Sequence, residues 1–530
     1  MKNTGPVFIG RGHHLTLSEC NDIARSGRVV RIHPSAYPAM NKSFKVLSEF
    51  ADNHIPIYGL STQFGNQSNY IFDPPHQNGT KDQYLHSIDQ RQHNLVMTHD
   101  CGLGDELPEE VARLTMALRA HCLALGHSGV RPLVAETLVR FLNKKAHPVI
   151  RRYGSIGASG DLIPLSAIAA TLIGEHKEVV YQGKKVEAKK ALRLARVKPL
   201  ALFGREGLAL VNGTSFSAGM ASLALYDLDI LFSNMMSVIA FSLESLMIMD
   251  SGYEPVVHQL KNHSGEIFIN KYLRAVWEGS KLIQSITVRR SAALQTKSKD
   301  IIKLNQPLQD YYSLRSVSQG FGPFWENLQK GKIWIEEEMN SVNDNPIVDT
   351  GARKIHHAAN FMGYYVTEAC DILKMDIAQA STWLHAIFAN MIHSRKNFNL
   401  PANLIHKPGT YNGFRSLQIL AASLTVQNRK LAQANQSYML PTEGDNQDVN
   451  SLSAHAAFDF REAVKNLERL TAILFLASMQ AIEIRGVGKA SRRAKNAHKL
   501  LRKKSSFIDI DRSLIKDIEI ALSLLKTSIL

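Results

Sequence analysis

The chain has 530 residues, of which 45% are hydrophobic and 21% charged, values that exclude a mostly disordered protein or a coiled coil. The length predicts several domains or one large helical subunit, and the net charge of +15 raises the question of a nucleic-acid partner. The four cysteines show no paired spacing and the N-terminus carries no apolar stretch of signal-peptide length, so we expect a reducing, cytoplasmic compartment.

Residues 1–206 alternate short apolar runs with clusters of glycine, proline and asparagine. This pattern predicts short elements and many loops, where binding and catalytic residues concentrate. Tyr58 stands between Pro56 and Gly59 in a segment typical of a loop that presents a phenol. A single tyrosine in such a run is more often a packed side chain, so this residue alone decides nothing.

Residues 154–166 read Gly-Ser-Ile-Gly-Ala-Ser-Gly-Asp-Leu-Ile-Pro-Leu-Ser. If the amide nitrogen of Gly160 attacks the carbonyl of Ala158 and two waters leave, the tripeptide Ala158-Ser159-Gly160 becomes a methylidene imidazolone. Glycine tolerates the dihedral angles of such a turn, and Ser159 supplies the hydroxyl that is lost. The alternative is an ordinary turn in which Asp161 caps a following helix.

Beyond residue 206 the sequence pattern changes: apolar residues recur at helical spacing, and few helix-breaking residues interrupt them. We therefore predict a mainly α fold, with a loop-rich active-site region over residues 1–206 and a long-helix bundle used for oligomerisation over residues 207–530. The run after residue 215 is nearly apolar enough to span a membrane, but Asp227, Asp229 and Glu244 interrupt it and favour a buried bundle helix. The long helices are predicted over residues 215–249, 325–340, 361–396, 414–438 and 454–484.

The second region also contains polar residues at suggestive spacings. Gln309, Tyr312 and Arg315 are three residues apart and share one face if their run is helical, where the guanidinium of Arg315 can hold a carboxylate. The alternative is a solvated surface helix. Asn212 precedes a long helix, where capping is its ordinary role. The basic residues from Arg485 to Lys504 lack interleaved aromatic residues, so we expect no specific nucleic-acid binding.

Residues 154–166 resemble the signature of the aromatic amino acid ammonia-lyases, the family of histidine, phenylalanine and tyrosine ammonia-lyases and related aminomutases. Further segments match that family in chain order over about residues 15 to 490. The resemblance implies an ammonia-lyase-like helical homotetramer with active sites shared between subunits. It also implies that Ala158-Ser159-Gly160 forms the methylidene imidazolone autocatalytically, without a metal, and that an amino acid loses ammonia to give an α,β-unsaturated acid. The matching segments are those around Tyr58, Asn94 to Gly102, Glu206 to Thr214, Gln309 to Arg315, Asn343 to Pro346, Asn360-Phe361 and Asn446 to Asp448.

The resemblance also implies individual roles. Tyr58 is similar to the loop tyrosine proposed as the base, which requires that its surroundings lower the pKa of its phenol from about 10. Asn212 resembles the asparagine that binds the ring or the substrate amine, with Gln309 close by. Tyr312 resembles a second tyrosine that assists proton movement. The remaining implied roles concern substrate binding: carboxylate anchoring by Arg315 with support from Asn345, and ring shielding by Phe361.

Substrate choice is read from the residues that would face the substrate ring. Thr98 and His99 are similar to the Ser-His pair of histidine and some tyrosine ammonia-lyases. Gln447 stands where histidine-specific members carry a glutamate, and Glu443 fits the phenylalanine and tyrosine branches. A neutral amide lacks the charge-assisted hydrogen bond of a carboxylate. We therefore predict tyrosine as substrate, then phenylalanine, with histidine and its product urocanate as the alternative.

Two departures from the family pattern keep other functions open. Gln63 replaces a usual glycine in the Tyr58 loop, and residues 263–266 carry Ser264 and Glu266 where the family has proline and glutamine. Either change can alter substrate choice. A 2,3-aminomutase uses the same groups, and a catalytically silent scaffold is the alternative outside enzymes.

Overall fold

A computed structural model describes residues 5–53, 55–71, 81–293, 304 and 307–526. The fold is mainly α-helical, as predicted. The five predicted long helices are confirmed, with the one expected over residues 325–340 starting earlier, at Val317. The α-helices are Leu17–Asn21, Ala36–Asp52, Lys81–His99, Glu109–Ala124, Pro132–Asn143, Leu162–Ile173, Ala188–Ala195, Glu206–Val211, Ser215–Ser245, Pro255–Lys261, Ser264–Val276, Ile286–Ala293, Tyr312–Arg315, Val317–Met339, Tyr364–Ile392, Arg415–Leu431, Ser453–Arg485, Arg492–Arg502 and Ile515–Leu525.

Helix ends follow local chemistry. Thr16 and Glu19 form a reciprocal capping box at the start of Leu17–Asn21. Pro132 and Pro255 each open a helix, where the missing N–H of proline costs nothing. Short irregular helices fill several connections: a π-helix at Asp22–Ser26 and 3₁₀ turns at Gly65–Gln67, Asp250–Tyr253, Ala402–Leu404, Asn435–Tyr438 and Val487–Lys489.

The strands are three or four residues long and form small separate sheets. Val7–Ile9 pairs in parallel with Val30–Ile32, whereas the other strand pairings in the described part of the chain are antiparallel. The sheets are therefore small local pairings that hold neighbouring loop segments together. The antiparallel sheets comprise Leu103–Glu106 with Arg151–Tyr153, Ala146–Pro148 with Val179–Tyr181 and Lys184–Val186, and Ile347–Asp349 with Lys354–His356.

Contacts divide the chain into two compact units. The first unit comprises residues 1–226, 332–371 and 434–458, and the second comprises residues 227–331, 372–433 and 459–530. These units do not coincide with the split at residue 206, which stays a prediction about the roles of the two regions. In the first unit one hydrophobic cluster packs beside the Tyr58 loop; it consists of Val46, Leu47, Ile57, Leu60, Ile88 and Val348.

Ser215–Ser245 is, within the described ranges, the one helix long and apolar enough to cross a membrane. Of its most apolar window, 72% is buried inside the protein. Glu244 near its end is buried and accepts hydrogen bonds from the backbone and hydroxyl of Ser491 at 2.5 and 3.1 Å. Ser215–Ser245 therefore has the features of a core helix: most of its apolar surface is buried, and its buried acid is hydrogen-bonded.

Candidate active site

The tripeptide Ala158-Ser159-Gly160 forms a tight turn just before the helix Leu162–Ile173. Gly160 has a φ of 69°, a left-handed conformation that favours glycine. It pairs with Gly213, and a Cβ added at Gly160 would collide with the backbone of Gly213. The sequence therefore places glycine where two backbone segments touch.

Asn212 lies against the tripeptide. Its Nδ2 donates to the carbonyl oxygen of Ser159 at 2.9 Å and to the Ser159 hydroxyl at 3.1 Å. Its buried Oδ1 has no hydrogen-bond partner among the described residues. An unpartnered buried acceptor is unusual and marks a place where a ligand donor can bind. Asn212 does not act as a helix cap, because Oδ1, the atom that would accept from a helix N–H, has no partner in the described part of the chain.

Asp161 is fully buried directly after the tripeptide, and its side chain does not cap the helix that it precedes. The carboxylate instead accepts from the Ser155 hydroxyl at 2.8 Å and from the backbone and hydroxyl of Ser217 at 2.8 and 2.9 Å. Burial raises the pKa of Asp161, while these donors lower it. The alternative of an ordinary helix cap is therefore wrong for this side chain, which ties the turn to the start of Ser215–Ser245.

A cavity of about 240 Å³ opens over the tripeptide, and all its lining residues belong to the first unit. The sequence-predicted residues in its wall are Tyr58, His99, Ala158, Ser159, Asn345, Phe361, Glu443 and Gln447. The other lining residues are Phe64, Gly65, Ser68, Leu95, Leu162, Leu208, Met362, Asn446, Asp448 and Val449.

Tyr58 reaches the cavity from a loop whose flanks, Ile57 and Leu60, belong to the hydrophobic cluster. The backbone N–H of Gly65 donates to the Tyr58 hydroxyl at 3.0 Å. Burial raises the pKa of the Tyr58 phenol, the Gly65 N–H lowers it, and the nearby Glu443 carboxylate raises it. The net direction is upward, opposite to the lowered pKa that a base requires.

His99 and Glu443 form a polar part of the cavity wall. His99 contacts the carbonyl oxygen of Leu95 through Nδ1 at 2.8 Å. Because a carbonyl only accepts, Nδ1 carries the proton, and in the neutral ring Nε2 is an acceptor. Desolvation raises the pKa of the Glu443 carboxyl, and His99 lowers it.

Gln447 is tied to its own loop: Oε1 accepts from the Thr442 hydroxyl at 3.0 Å. That bond leaves the amide nitrogen as the donor available to a ligand. Asn345 is buried at the cavity wall, where its Oδ1 accepts from the backbone of Ala358 at 2.7 Å. Phe361 lines the same cavity.

Several predicted site residues lie outside the cavity wall. Thr98 is exposed and does not line the cavity, although its neighbour His99 does. Gln309, Tyr312 and Arg315 belong to the second unit, where the helix starts only at Tyr312. The run is not helical at Gln309, so the condition under which the three residues would share one helical face is not met. The guanidinium carbon of Arg315 lies 4.6 Å from the centre of the Tyr312 ring. Tyr312 itself is 75% exposed.

Buried charged residues that were not predicted from the sequence lie behind the site. Asp344 is fully buried and accepts two hydrogen bonds from the Arg205 guanidinium, at 2.8 and 2.9 Å. Arg119, also fully buried, donates to the backbone carbonyl of Asn212 at 2.8 Å. Charged residues inside apolar helical runs, such as Arg119 between Leu118 and Ala120, were the available signal, because buried charges are rare unless paired.

The residues around the tripeptide fit a ring made from it. Gly160 has the left-handed φ, Asn212 holds Ser159, and the unpartnered Oδ1 of Asn212 is an acceptor for a donor on a ligand. Among the described residues no cluster of three or more His, Cys, Asp or Glu side chains is placed to hold a metal ion.

Comparisons of the sequence and of the structure with known proteins agree on the family. The sequence model of the aromatic amino acid lyases matches residues 15–503. Histidine ammonia-lyase of Bacillus anthracis is 32% identical over 517 residues, which cover 98% of this chain and 96% of that protein. The structure is similar to tyrosine aminomutase of Streptomyces globisporus, with a TM-score of 0.89, 30% identity and coverage of 98% and 97%. It is likewise similar to phenylalanine aminomutase of Pantoea agglomerans, with a TM-score of 0.92, 27% identity and coverage of 98% and 99%.

Proposed function

The chain belongs to the aromatic amino acid lyase family and is a carbon–nitrogen lyase; on that premise we propose that it eliminates ammonia from L-tyrosine, and less readily from L-phenylalanine. The products are the corresponding α,β-unsaturated aryl acids. The observation that carries the proposal is the cavity that joins Tyr58 and His99 to Ala158 and Ser159, with Asn212 hydrogen-bonded to Ser159.

We propose that Ala158, Ser159 and Gly160 mature into a methylidene imidazolone, which supplies an electrophile that side chains lack. Asn212 holds the Ser159 position through Nδ2 and offers Oδ1 to the substrate amine. Tyr58 removes the β-hydrogen of the substrate through its hydroxyl oxygen, which already accepts from Gly65. Phe361 and the apolar lining exclude water from the reacting atoms.

The tyrosine preference rests on His99 and Gln447. Nε2 of a neutral His99 accepts a hydrogen bond, which suits the phenol hydroxyl of tyrosine and has no partner on the ring of phenylalanine. A site built to pair with a hydroxyl discriminates strongly against a substrate without one. Gln447 presents an amide, which lacks the charge-assisted pairing that a carboxylate gives an imidazole.

We further propose a homotetramer in which Tyr312 and Arg315 of one copy complete the cavity of another. The described lining contains Glu443 and Asp448 but neither Arg nor Lys, so the cavity itself offers no strong cation to a substrate carboxylate. A guanidinium brought in by another copy would bind that carboxylate and lower the pKa of Tyr58. We also propose a cytoplasmic location, because the sequence spacing of the four cysteines shows no disulfide or metal-ligand pattern.

Two other activities have specific support. Histidine deamination is supported by the similarity to the Bacillus anthracis enzyme. A 2,3-aminomutase is supported by the two similar aminomutase structures. Both would use the same cavity, and the difference lies in the substrate ring or in the return of ammonia before release.

The deciding experiment offers tyrosine, phenylalanine and histidine separately to the purified full chain while the ultraviolet absorbance of the unsaturated acid is followed. We expect the highest kcat/KM with tyrosine and no turnover by Ser159→Ala. Chromatographic detection of a β-amino acid would establish the aminomutase, and a preference for histidine would overturn the proposed substrate. No product from any of the three would overturn the proposed reaction.

A further inference from the structure

Arg119 lies directly behind the segment that touches the tripeptide. It belongs to the helix Glu109–Ala124, and its side chain is fully buried. A buried guanidinium is costly unless its donors are used, so its partners indicate what it holds. Nη1 donates to the carbonyl oxygen of Asn212 at 2.8 Å and to Oδ1 of Asn343 at 3.2 Å, while Nη2 lies 3.9 Å from the Asp344 carboxylate.

Gly213 lies between this guanidinium and the tripeptide. A Cβ added at Gly213 would overlap Nη1 of Arg119, and a Cβ added at Gly160 would overlap the backbone of Gly213. The backbone N–H of Asp161 donates to the Gly213 carbonyl at 2.8 Å. The guanidinium, the Gly213 backbone and the Gly160 backbone are thus in contact, with no room for one more carbon atom between them.

We propose that Arg119 is a positioning residue for closure of the ring from Ala158-Ser159-Gly160, an inference that rests on the proposed function because it presupposes that ring. Arg119 keeps the Asn212–Gly213 peptide from moving away. Gly160 therefore stays folded toward Ala158, and Nδ2 of Asn212 stays on Ser159. Holding reacting atoms at close distance is the main way a protein accelerates such an intramolecular step.

The closure that Arg119 assists balances without an oxidant or a metal. The amide nitrogen of Gly160 bonds to the carbonyl carbon of Ala158. The Ala158 oxygen leaves as water with the amide hydrogens of Gly160 and Ser159, which creates a carbon–nitrogen double bond. The Ser159 hydroxyl leaves as a second water with the Ser159 α-hydrogen, which creates the exocyclic alkene. Arg119 makes and breaks no bond in this sequence.

Arg113 provides a matched control on the same helix. Its side chain is also buried, and it donates to the backbone carbonyls of Ile23 and Ala24 at 3.0 to 3.3 Å. Arg113→Met therefore removes a comparable buried guanidinium that holds backbone carbonyls away from the tripeptide. A purely structural role predicts similar effects for Arg113 and Arg119, whereas the positioning role predicts an effect on ring closure for Arg119 alone.

The test measures the intact mass of the folded full chain at intervals after synthesis, for the wild type, Arg119→Met, Arg119→Lys and Arg113→Met. We expect the wild type and Arg113→Met to be lighter than the encoded mass by two waters. Arg119→Met should lose these waters at least about tenfold more slowly, since tenfold corresponds to the loss of a single modest interaction in the closing geometry. Arg119→Lys should be intermediate, because an ammonium can reach one acceptor but lacks the planar fork.

Dehydration of folded Arg119→Met at the wild-type rate would overturn the positioning role. If that variant does not fold, Arg119→Lys decides in the same way: dehydration at the wild-type rate contradicts the proposal. Equal slowing in Arg113→Met and Arg119→Met would also contradict it, because the effect would then come from general packing. A wild-type chain of full encoded mass would overturn the proposed function itself, an outcome distinct from the others.

Discussion

Asn212 donates from one amide nitrogen to two oxygens of Ser159, its carbonyl at 2.9 Å and its hydroxyl at 3.1 Å. The same side chain keeps a buried Oδ1 without a partner among the described residues. One amide thus holds the residue that would form the alkene while its oxygen stays without a protein partner in the described chain. Activity should therefore depend on the Nδ2 donor of Asn212, even when a substitution keeps the shape of the side chain.

Asn212→Asp should therefore lower kcat by about a hundredfold or more, the usual cost of removing a donor aimed at a reacting group. The carboxylate keeps the size of the amide but repels the Ser159 carbonyl. Steady-state turnover of tyrosine measures the effect, and the exposed Asn94→Asp serves as the control for added charge. Turnover of Asn212→Asp within a factor of about two of the wild type would exclude this role.

Tyr58→Phe should separate turnover from formation of the ring. Tyr58 accepts from Gly65 and makes no hydrogen bond to the tripeptide among the described contacts. We expect kcat to fall by about 10² to 10⁴, the range for a general base, while the intact mass still shows the loss of two waters. Tyr70→Phe is a suitable control because Tyr70 is exposed nearby. A variant that keeps its activity would remove Tyr58 from the role of base.

The pH profile should respond to Glu443. Burial and the Glu443 carboxylate both raise the pKa of Tyr58, and the Gly65 N–H lowers it. A base works when deprotonated, so activity rises with pH through the pKa of the phenol. Glu443→Gln removes a negative charge, lowers that pKa and should shift the rising limb of kcat/KM to lower pH. A shift to higher pH, or none, would show that Glu443 does not act on Tyr58.

The long helices and the tripeptide were predictable because their signals are local. Apolar spacing defines helices such as Tyr364–Ile392, and a short motif marks Ala158-Ser159-Gly160. The contact of Arg119 with Asn212 was not predictable, since nothing in either local segment encodes it. The upward direction of the Tyr58 pKa likewise depends on burial and on Glu443, both of which arise only in the fold.

Substrate preference should move toward histidine in Gln447→Glu. The bond from the Thr442 hydroxyl to Oε1 survives the substitution, because glutamate also accepts there. Only the amide donor is replaced, by an oxygen that can pair with an imidazole N–H through a charge-assisted bond. We expect the ratio of kcat/KM for histidine over tyrosine to rise by about tenfold or more.

The control for this change is Gln67→Glu, which adds the same charge on an exposed residue outside the cavity lining. Competition assays with both amino acids measure the ratio directly. An unchanged ratio in Gln447→Glu, or an equal rise in Gln67→Glu, would show that Gln447 does not read the substrate ring.

Glu338 should make the stability of the protein fall as pH rises toward neutrality. Burial raises the pKa of its carboxyl to about 7 from 4.5, the Thr214 hydroxyl lowers it, and Asp161 raises it. Between these two values the folded chain binds a proton that the unfolded chain does not. The free energy of unfolding therefore decreases as pH rises through that window and levels off above it, a loss on the order of 3 kcal/mol.

Glu338→Gln cannot ionise and should remove this decrease, so that the variant gains stability relative to the wild type as the pH is raised. Urea unfolding from about pH 5 to about pH 8 measures the difference. The exposed neighbour Glu337→Gln should leave the slope unchanged, because no burial opposes its charge. Equal slopes for the wild type and Glu338→Gln would mean that Glu338 is ionised in the folded protein across the window, and that the Thr214 hydroxyl outweighs burial and Asp161.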